Sequence, residues 1–217
     1  MNVEQARFNM IEQQIRPWDV LDTSVLSLLS VVRREDFVPP AHRALAFMDL
    51  EIPLPGGQSM LSPKLEARLV QDLRLGKRDH VLQVGAGSGY VTALLAHKAQ
   101  RVIALENQPE LAAMARANLR RAQIGNAEVV EADGREGLAA QGPYNAIVLT
   151  GSVTSVPQAL FDQLKPGGRL LAIVGREPVM QAILYTKGEQ GQMGHEVLFD
   201  TLVRPLAGLT ARPEFTF

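Results

Sequence analysis

A chain of 217 residues with 46% hydrophobic composition can bury the core of one large domain. With 22 basic against 23 acidic side chains the net charge is −1, so no overall field recruits nucleic acid or an anionic membrane. Lack of cysteine excludes disulfides and thiolate zinc sites, and His42, His80, His97 and His195 are too scattered to suggest a metal site.

Met1-Asn2-Val3-Glu4-Gln5 lacks a basic stretch leading into an apolar one, and no apolar run approaches bilayer-spanning length, so a soluble, cytoplasmic protein is expected. Within residues 4–16, Phe8, Ile11 and Ile15 recur at helical spacing, and Pro17 closes the run because the residue before proline avoids the α region. Asp22 or Thr23 can cap a second helix from Ser24 to about Val32, with Val25, Leu28, Leu29 and Val32 on one face. The nearly cancelling charges of Arg33-Arg34-Glu35-Asp36 read as a solvated corner, after which Phe37-Val38-Pro39-Pro40 interrupts regular structure. Residues 41–60, with Pro53-Leu54-Pro55-Gly56-Gly57, predict an ordered loop, and one of that length is uncommon unless it lines a site. Ser62 as N-cap and Pro63 at the first helical position open a third helix with Leu65, Leu69 and Leu73 on its apolar face.

From there strands and helices alternate: strand 81–84, helix 88–98, strand 101–105, helix 109–123, strand 127–131, strand 145–149, helix 156–164 and strand 168–174. That order predicts a doubly wound α/β sheet, largely parallel, with helices on both faces. Lys165-Pro166-Gly167-Gly168 predicts a sharp turn before the last of these strands, and the runs 179–186 and 196–204 predict a closing antiparallel hairpin.

The chemistry concentrates where strands end. Val81-Leu82-Gln83-Val84 runs into Gly85-Ala86-Gly87-Ser88-Gly89-Tyr90, a strand turning on glycines into a helix. Glycines there permit positive φ and let backbone N–H groups approach a ligand closely. A dinucleotide fingerprint places its third glycine sixth; here it falls fifth and Tyr90 is sixth, which disfavours NAD and resembles the S-adenosylmethionine (SAM) loop of class I methyltransferases. Glu106 ends the next strand, 21 residues after Gly85, where an acid accepts hydrogen bonds from ribose hydroxyls. Asp133-Gly134 ends the third strand; its acid suits an adenine amino group, and an ordinary Asp-Gly turn fits the local sequence as well. No nucleophile elbow, Walker loop or Cys-His pair is present.

Over nearly the whole length the chain resembles the protein-L-isoaspartate O-methyltransferases. Arg34-Glu35-Asp36-Phe37-Val38-Pro39 looks like the close of their amino-terminal helices, Ala46-Phe47-Met48-Asp49 resembles their Ala-Tyr-x-Asp, and Gly57-Gln58-Ser59-Met60-Leu61-Ser62-Pro63 resembles their Gly-Gln-Thr-Ile-Ser-x-Pro. Val81–Tyr90, Glu106, Asp133-Gly134, Lys165–Leu170 and Val203-Arg204-Pro205-Leu206 continue the match in register. The resemblance implies a class I, Rossmann-like methyltransferase fold in one domain, 1–217, with residues 1–60 a helical cap and loop and 61–217 the SAM-binding core. It implies SAM as cofactor and Gln83, Gly85, Ala86, Gly87, Ser88, Gly89, Glu106, Asn107, Asp133 and Gly134 as its contacts, with a protein or peptide bearing an isoaspartyl residue as acceptor. Whether the chain is a monomer or a dimer is left open.

Three positions depart from the family pattern: Leu61 stands where relatives carry the serine beside the transferred methyl, Gln83 where they carry glutamate, and Asn145 where they usually carry aspartate. Ser59 and Ser62 are the hydroxyls near enough in sequence to serve a catalytic role, with Ser62 also suited to capping the helix. Loss of one hydrogen bond to a charged group costs ~1.5–3 kcal/mol, so weakened isoaspartyl methylation, a different acceptor or a non-catalytic SAM-binding protein are the expectations that follow.

Overall fold

The computed structural model describes residues 2–208. The first helix, α1 (Val3–Met10), is capped by the Asn2 side chain and runs on through a π-helical turn at Ile11–Ile15 and a 3₁₀ turn at Arg16–Trp18 before Asp19 turns out with φ 59°. Ile11 and Ile15 are buried as the spacing predicts, but Phe8 is 58% exposed; Arg7 and Met10 take the inward positions. Helix α2 (Thr23–Val31) is capped by Asp22, which accepts from Ser24 N–H at 2.8 Å, and buries Val25, Leu28 and Leu29 on the anticipated face. Residues 40–60 contain 3₁₀ turns and a small ribbon in which β1 (Ile52–Pro53) pairs antiparallel with β2 (Ser59–Met60). Helix α3 (Pro63–Asp72) follows.

The core is a seven-stranded sheet in the order β5-β4-β3-β6-β7-β8-β9. Its parallel part comprises β3 (His80–Val84), β4 (Arg101–Glu106), β5 (Ala127–Glu131), β6 (Tyr144–Val153) and β7 (Leu164–Arg176). Between the pairs Tyr144↔Leu164 and Ala146↔Arg169 the chain bulges at Lys165-Pro166-Gly167-Gly168, so the expected turn is accommodated inside β7. Antiparallel β8 (Val179–Lys187) and β9 (Met193–Thr201) complete the sheet as the predicted hairpin, the second strand starting three residues earlier than the pattern suggested. Helices α4 (Tyr90–Lys98), α5 (Pro109–Arg121) and the short α6 (Gln158–Asp162) connect the parallel strands. Central strands buried on both faces require continuous apolar runs, which Val81-Leu82 and Val102-Ile103-Ala104-Leu105 supply.

One sequence expectation fails in a way that matters for the site. Arg33-Arg34-Glu35-Asp36 does not lie wholly in solvent: Arg34 is 0% exposed and Glu35 is buried against Arg7. Cancelling charges pair inward here, because Arg7 on α1 and Glu66 on α3 supply the partners that local sequence does not show.

Candidate active site

β3 and β4 end side by side, and the glycine loop leads from β3 into α4 while hydrogen bonding to the end of β4. Gly85 has φ 91°, a conformation L side chains rarely adopt, and a Cβ there would lie 2.7 Å from Leu206 Cδ2 and 2.9 Å from Thr150 Oγ1. The N–H groups of Gly85 and Ala86 both donate to the Leu105 carbonyl, at 2.9 and 3.1 Å. Gly87 N–H donates to Glu106 Oε2 at 3.0 Å and Gln108 N–H to Oε1 at 3.1 Å. Glu106 is therefore buried and locked, while each carboxylate oxygen keeps further lone-pair capacity.

Above these strand ends lies a cleft. Of the residues singled out from sequence, Ser59, Gln83, Gly85, Ala86, Gly87, Ser88, Glu106, Asn107 and Gly134 line it, and Leu61 forms part of its wall. The long loop lines the cleft as its length suggested, through Leu54 and Gln58–Leu61. The segment after β9 closes over it: Leu206 N–H donates to Ser152 O at 3.0 Å, Asn107 Nδ2 to Ala207 O at 2.8 Å, and Arg204 Nη1 ties down Gly57 O at 3.1 Å.

Three expected residues lie off the lining. Gly89 (φ 84°) is the N-cap of α4, and a Cβ there would meet the Ala115 backbone at 3.2 Å, so its smallness serves the packing of α4 on α5. Asp133 is exposed and engaged with Arg135: Oδ1 accepts from Arg135 N–H at 3.0 Å and Oδ2 from Nε at 2.8 Å. The Arg135 hydrogen bonds hold its carboxyl below the usual range, and Gly134 is the residue of the pair that faces the cleft. Ser62 occupies the N-cap position of α3, but its side chain makes no capping bond; its carbonyl accepts from Leu65 and Glu66 N–H, both at 3.0 Å. It sits on a shallow outer face with Trp18, Asp49 and Lys64. Ser59 Oγ donates to Glu51 Oε2 at 2.6 Å.

Gln83 is fully buried and committed: its Nε2 donates to Gly85 O at 2.8 Å and its Oε1 accepts from Thr92 Oγ1 at 2.8 Å. The other end of the cleft carries groups the sequence reading missed. Glu66 on α3 is 1% exposed and lines the cleft; its Oε2 accepts from Arg34 Nε at 2.7 Å. Arg34 also donates through Nη1 to Ala46 O at 2.7 Å and through Nη2 to Leu61 O at 2.8 Å, which fixes Leu61 beside the carboxylate. Burial pushes the Glu66 carboxyl up to about 7 against the pull of Arg34. Tyr90, its hydroxyl buried without a partner among the described residues and its ring 5.9 Å from the Arg34 guanidinium, is pushed up by the same desolvation. A signal existed for Glu66: it lies three residues before Leu69 and seven before Leu73, on the stripe that helical periodicity sends inward.

Among the described residues no group of acidic and histidine side chains could hold a metal ion. The protein-family model described as protein-L-isoaspartate(D-aspartate) O-methyltransferase matches residues 5–210. A protein-L-isoaspartate O-methyltransferase of Koribacter versatilis is 37% identical over 202 residues, 93% of this chain and 90% of that relative. One of Methanoculleus marisnigri is 39% identical over 185 residues, 85% and 84% of the two chains. Among solved structures, a Plasmodium falciparum protein described as a protein-L-isoaspartate O-methyltransferase, in complex with S-adenosyl-L-homocysteine, superposes with a TM-score of 0.79 at 21% identity, covering 95% of this chain and 98% of that one. The fold is thus the class I methyltransferase fold with a closing antiparallel hairpin, and the chain belongs to the protein-L-isoaspartate(D-aspartate) O-methyltransferase family.

Proposed function

We propose that this chain transfers a methyl group from SAM to the carboxylate of isoaspartyl residues in proteins or peptides, with the cofactor lying across the ends of β5, β4 and β3. The observation that carries the reading is the fixed carboxylate of Glu106, held by two backbone N–H groups at the end of β4 and lining the cleft, an acceptor pair suited to ribose hydroxyls. The residues fit the group: the glycine loop keeps side chains out of the floor of the cleft, and Gly134 and exposed Asn107 border it beside Glu106. Gly85, Ala86, Gly87 and Ser88 border the cofactor through backbone atoms. Gly89 and Asp133 support their neighbours.

When bound, SAM supplies an electrophilic methyl on a sulfonium whose leaving group is a neutral thioether. An acceptor carboxylate, which ordinarily titrates near ~4, is ionised at neutral pH and needs no general base. What remains for the protein is alignment and exclusion of water. Leu61 and the Leu206 segment make an apolar wall for that purpose, and Ser59, which lines the cleft with its hydroxyl on Glu51, is the hydroxyl we assign to the acceptor side; Ser62 faces elsewhere. We read residues 1–217 as a single domain, with 1–60 the cap over the acceptor side and 61–217 the cofactor core, acting in the cytoplasm without nucleic acid or membrane; among the described residues no helix is long and apolar enough to cross one. The test is transfer of labelled methyl from SAM to an isoaspartyl peptide by wild type and Leu61→Ser. Wild-type activity rising roughly ten- to a hundredfold in the variant is the expected outcome. Binding of SAM with no transfer by either protein would instead assign a different acceptor, the reading favoured by Leu61.

A further inference from the structure

Seating SAM in this cleft takes an α-ammonium group out of water together with the sulfonium, and a desolvated ammonium requires acceptors. Among the described residues lining the cleft only Glu66 and Glu106 are acidic. Glu106 lies at the end of β4 with the glycine loop bound to it, so it is committed to the adenosine half. The next strand in the sheet order is β3, and the side chain at its end that could reach a cofactor is Gln83. That amide is spent: its N–H group is turned onto Gly85 O and its oxygen onto Thr92. Turning it toward a ligand would release a buried hydroxyl and a loop carbonyl together, at a cost that one new hydrogen bond does not recover.

We propose that Glu66 is the carboxylate that receives the cofactor's α-ammonium group, and that Gln83 acts as an internal brace of the glycine loop. The assignment rests on SAM being the cofactor. α3 packs on α4, the helix that the glycine loop opens, and this packing brings Glu66 into the lining of the same cleft as Glu106. Arg34 takes only Oε2; no hydrogen bond from a described residue reaches Oε1. With its other N–H groups on Ala46 O and Leu61 O, Arg34 is itself immobilised, so it aims the carboxylate as well as neutralising it. The raised proton affinity of a carboxyl buried this deeply has the same sense: a cation arriving beside it favours the ionised form that burial disfavours.

Isothermal titration with two probes tests this: S-adenosylhomocysteine, which carries the amino-acid end, and 5′-methylthioadenosine, which has the same adenosine and thioether without it. Glu66→Gln, whose amide oxygen can still accept from Arg34, is expected to weaken S-adenosylhomocysteine by about tenfold or more while methylthioadenosine changes by less than about twofold. Unchanged S-adenosylhomocysteine affinity overturns the proposal, and so does an equal loss for both probes, which would mark Glu66 as structural. Should Glu66→Gln fail to fold, Glu66→Asp, which withdraws the carboxylate but keeps the Arg34 charge partner, is read by the same ratio. Failure of the wild type to bind either probe would overturn the cofactor reading itself, and the role of Glu66 with it.

Discussion

At the β4 end of the cleft the polar groups are set by main chain: Gly85 and Ala86 donate to Leu105 O, Gly87 and Gln108 hold Glu106, and glycines carry the positive φ angles that make this possible. At the α3 end they are set by long side chains from separate segments, with Arg34 drawing Glu66, Ala46 O and Leu61 O together under Tyr90. A site built from backbone tolerates few changes, since its donors persist whatever the side chain but its φ angles admit only glycine. One built from side chains can exchange partners while keeping its outline. Leu61 lies in the second part and Gln83 braces the glycine loop; these are two of the departures from the family pattern, and Glu66 lines the cleft with both.

Removing the hub of the α3 end gives the largest expected effect. Arg34→Met leaves the Glu66 carboxyl buried without its partner and two carbonyls without a donor, so unfolding in urea should show a loss of about 3–5 kcal/mol. Arg34→Met with Glu66→Leu should recover much of it, because replacing both partners removes the stranded charge. A loss below about 1 kcal/mol in the single variant would mean that this end is held by apolar packing and that the comparison between the two ends is wrong.

Sequence alone reaches the β4 end and largely misses the other, for a physical reason. Strand alternation, glycine spacing and the distance from Gly85 to Glu106 are local or strictly periodic, and they give the sheet and the place of Glu106 at the end of β4 beside the glycine loop. Arg34 and Glu66 are 32 residues apart; the first reads locally as a solvated charge, and periodicity turns the second inward without naming its partner. Only their meeting makes either burial tolerable, and a one-dimensional pattern does not contain that meeting. Ser62 and Asp133 each sit at the right place in a motif but off the cleft lining: Ser62 accepts through its carbonyl at the start of α3, and Arg135 engages the Asp133 carboxylate.

A middle-sized effect is expected at the β4 end. Glu106→Ala removes the acceptor for Gly87 N–H, for Gln108 N–H and for the ribose hydroxyls, so titration with S-adenosylhomocysteine should show binding weaker by ~1.5–3 kcal/mol, roughly ten- to a hundredfold. Methylthioadenosine should lose affinity in the same proportion, unlike its expected indifference to Glu66→Gln. Equal affinity in the variant and wild type would remove Glu106 from the ribose.

The smallest effect belongs to Asp133. Its carboxylate is exposed and held by exposed Arg135, and Gly134 rather than Asp133 lines the cleft. To accept from an adenine amino group it would have to break charge-assisted bonds to Arg135 and turn inward, in a place where solvent already screens its charge. Asp133→Ala should therefore change S-adenosylhomocysteine affinity by less than about threefold, under ~0.7 kcal/mol. Arg135→Ala separates the alternatives further. If Arg135 merely occupies an idle carboxylate, releasing it leaves affinity where it was; if Arg135 restrains a group that the adenine needs, affinity rises in Arg135→Ala and falls tenfold in Asp133→Ala. That second pattern would place Asp133 among the cofactor contacts after all, and would show that the adenine end, unlike the ribose end, is assembled only when the ligand arrives.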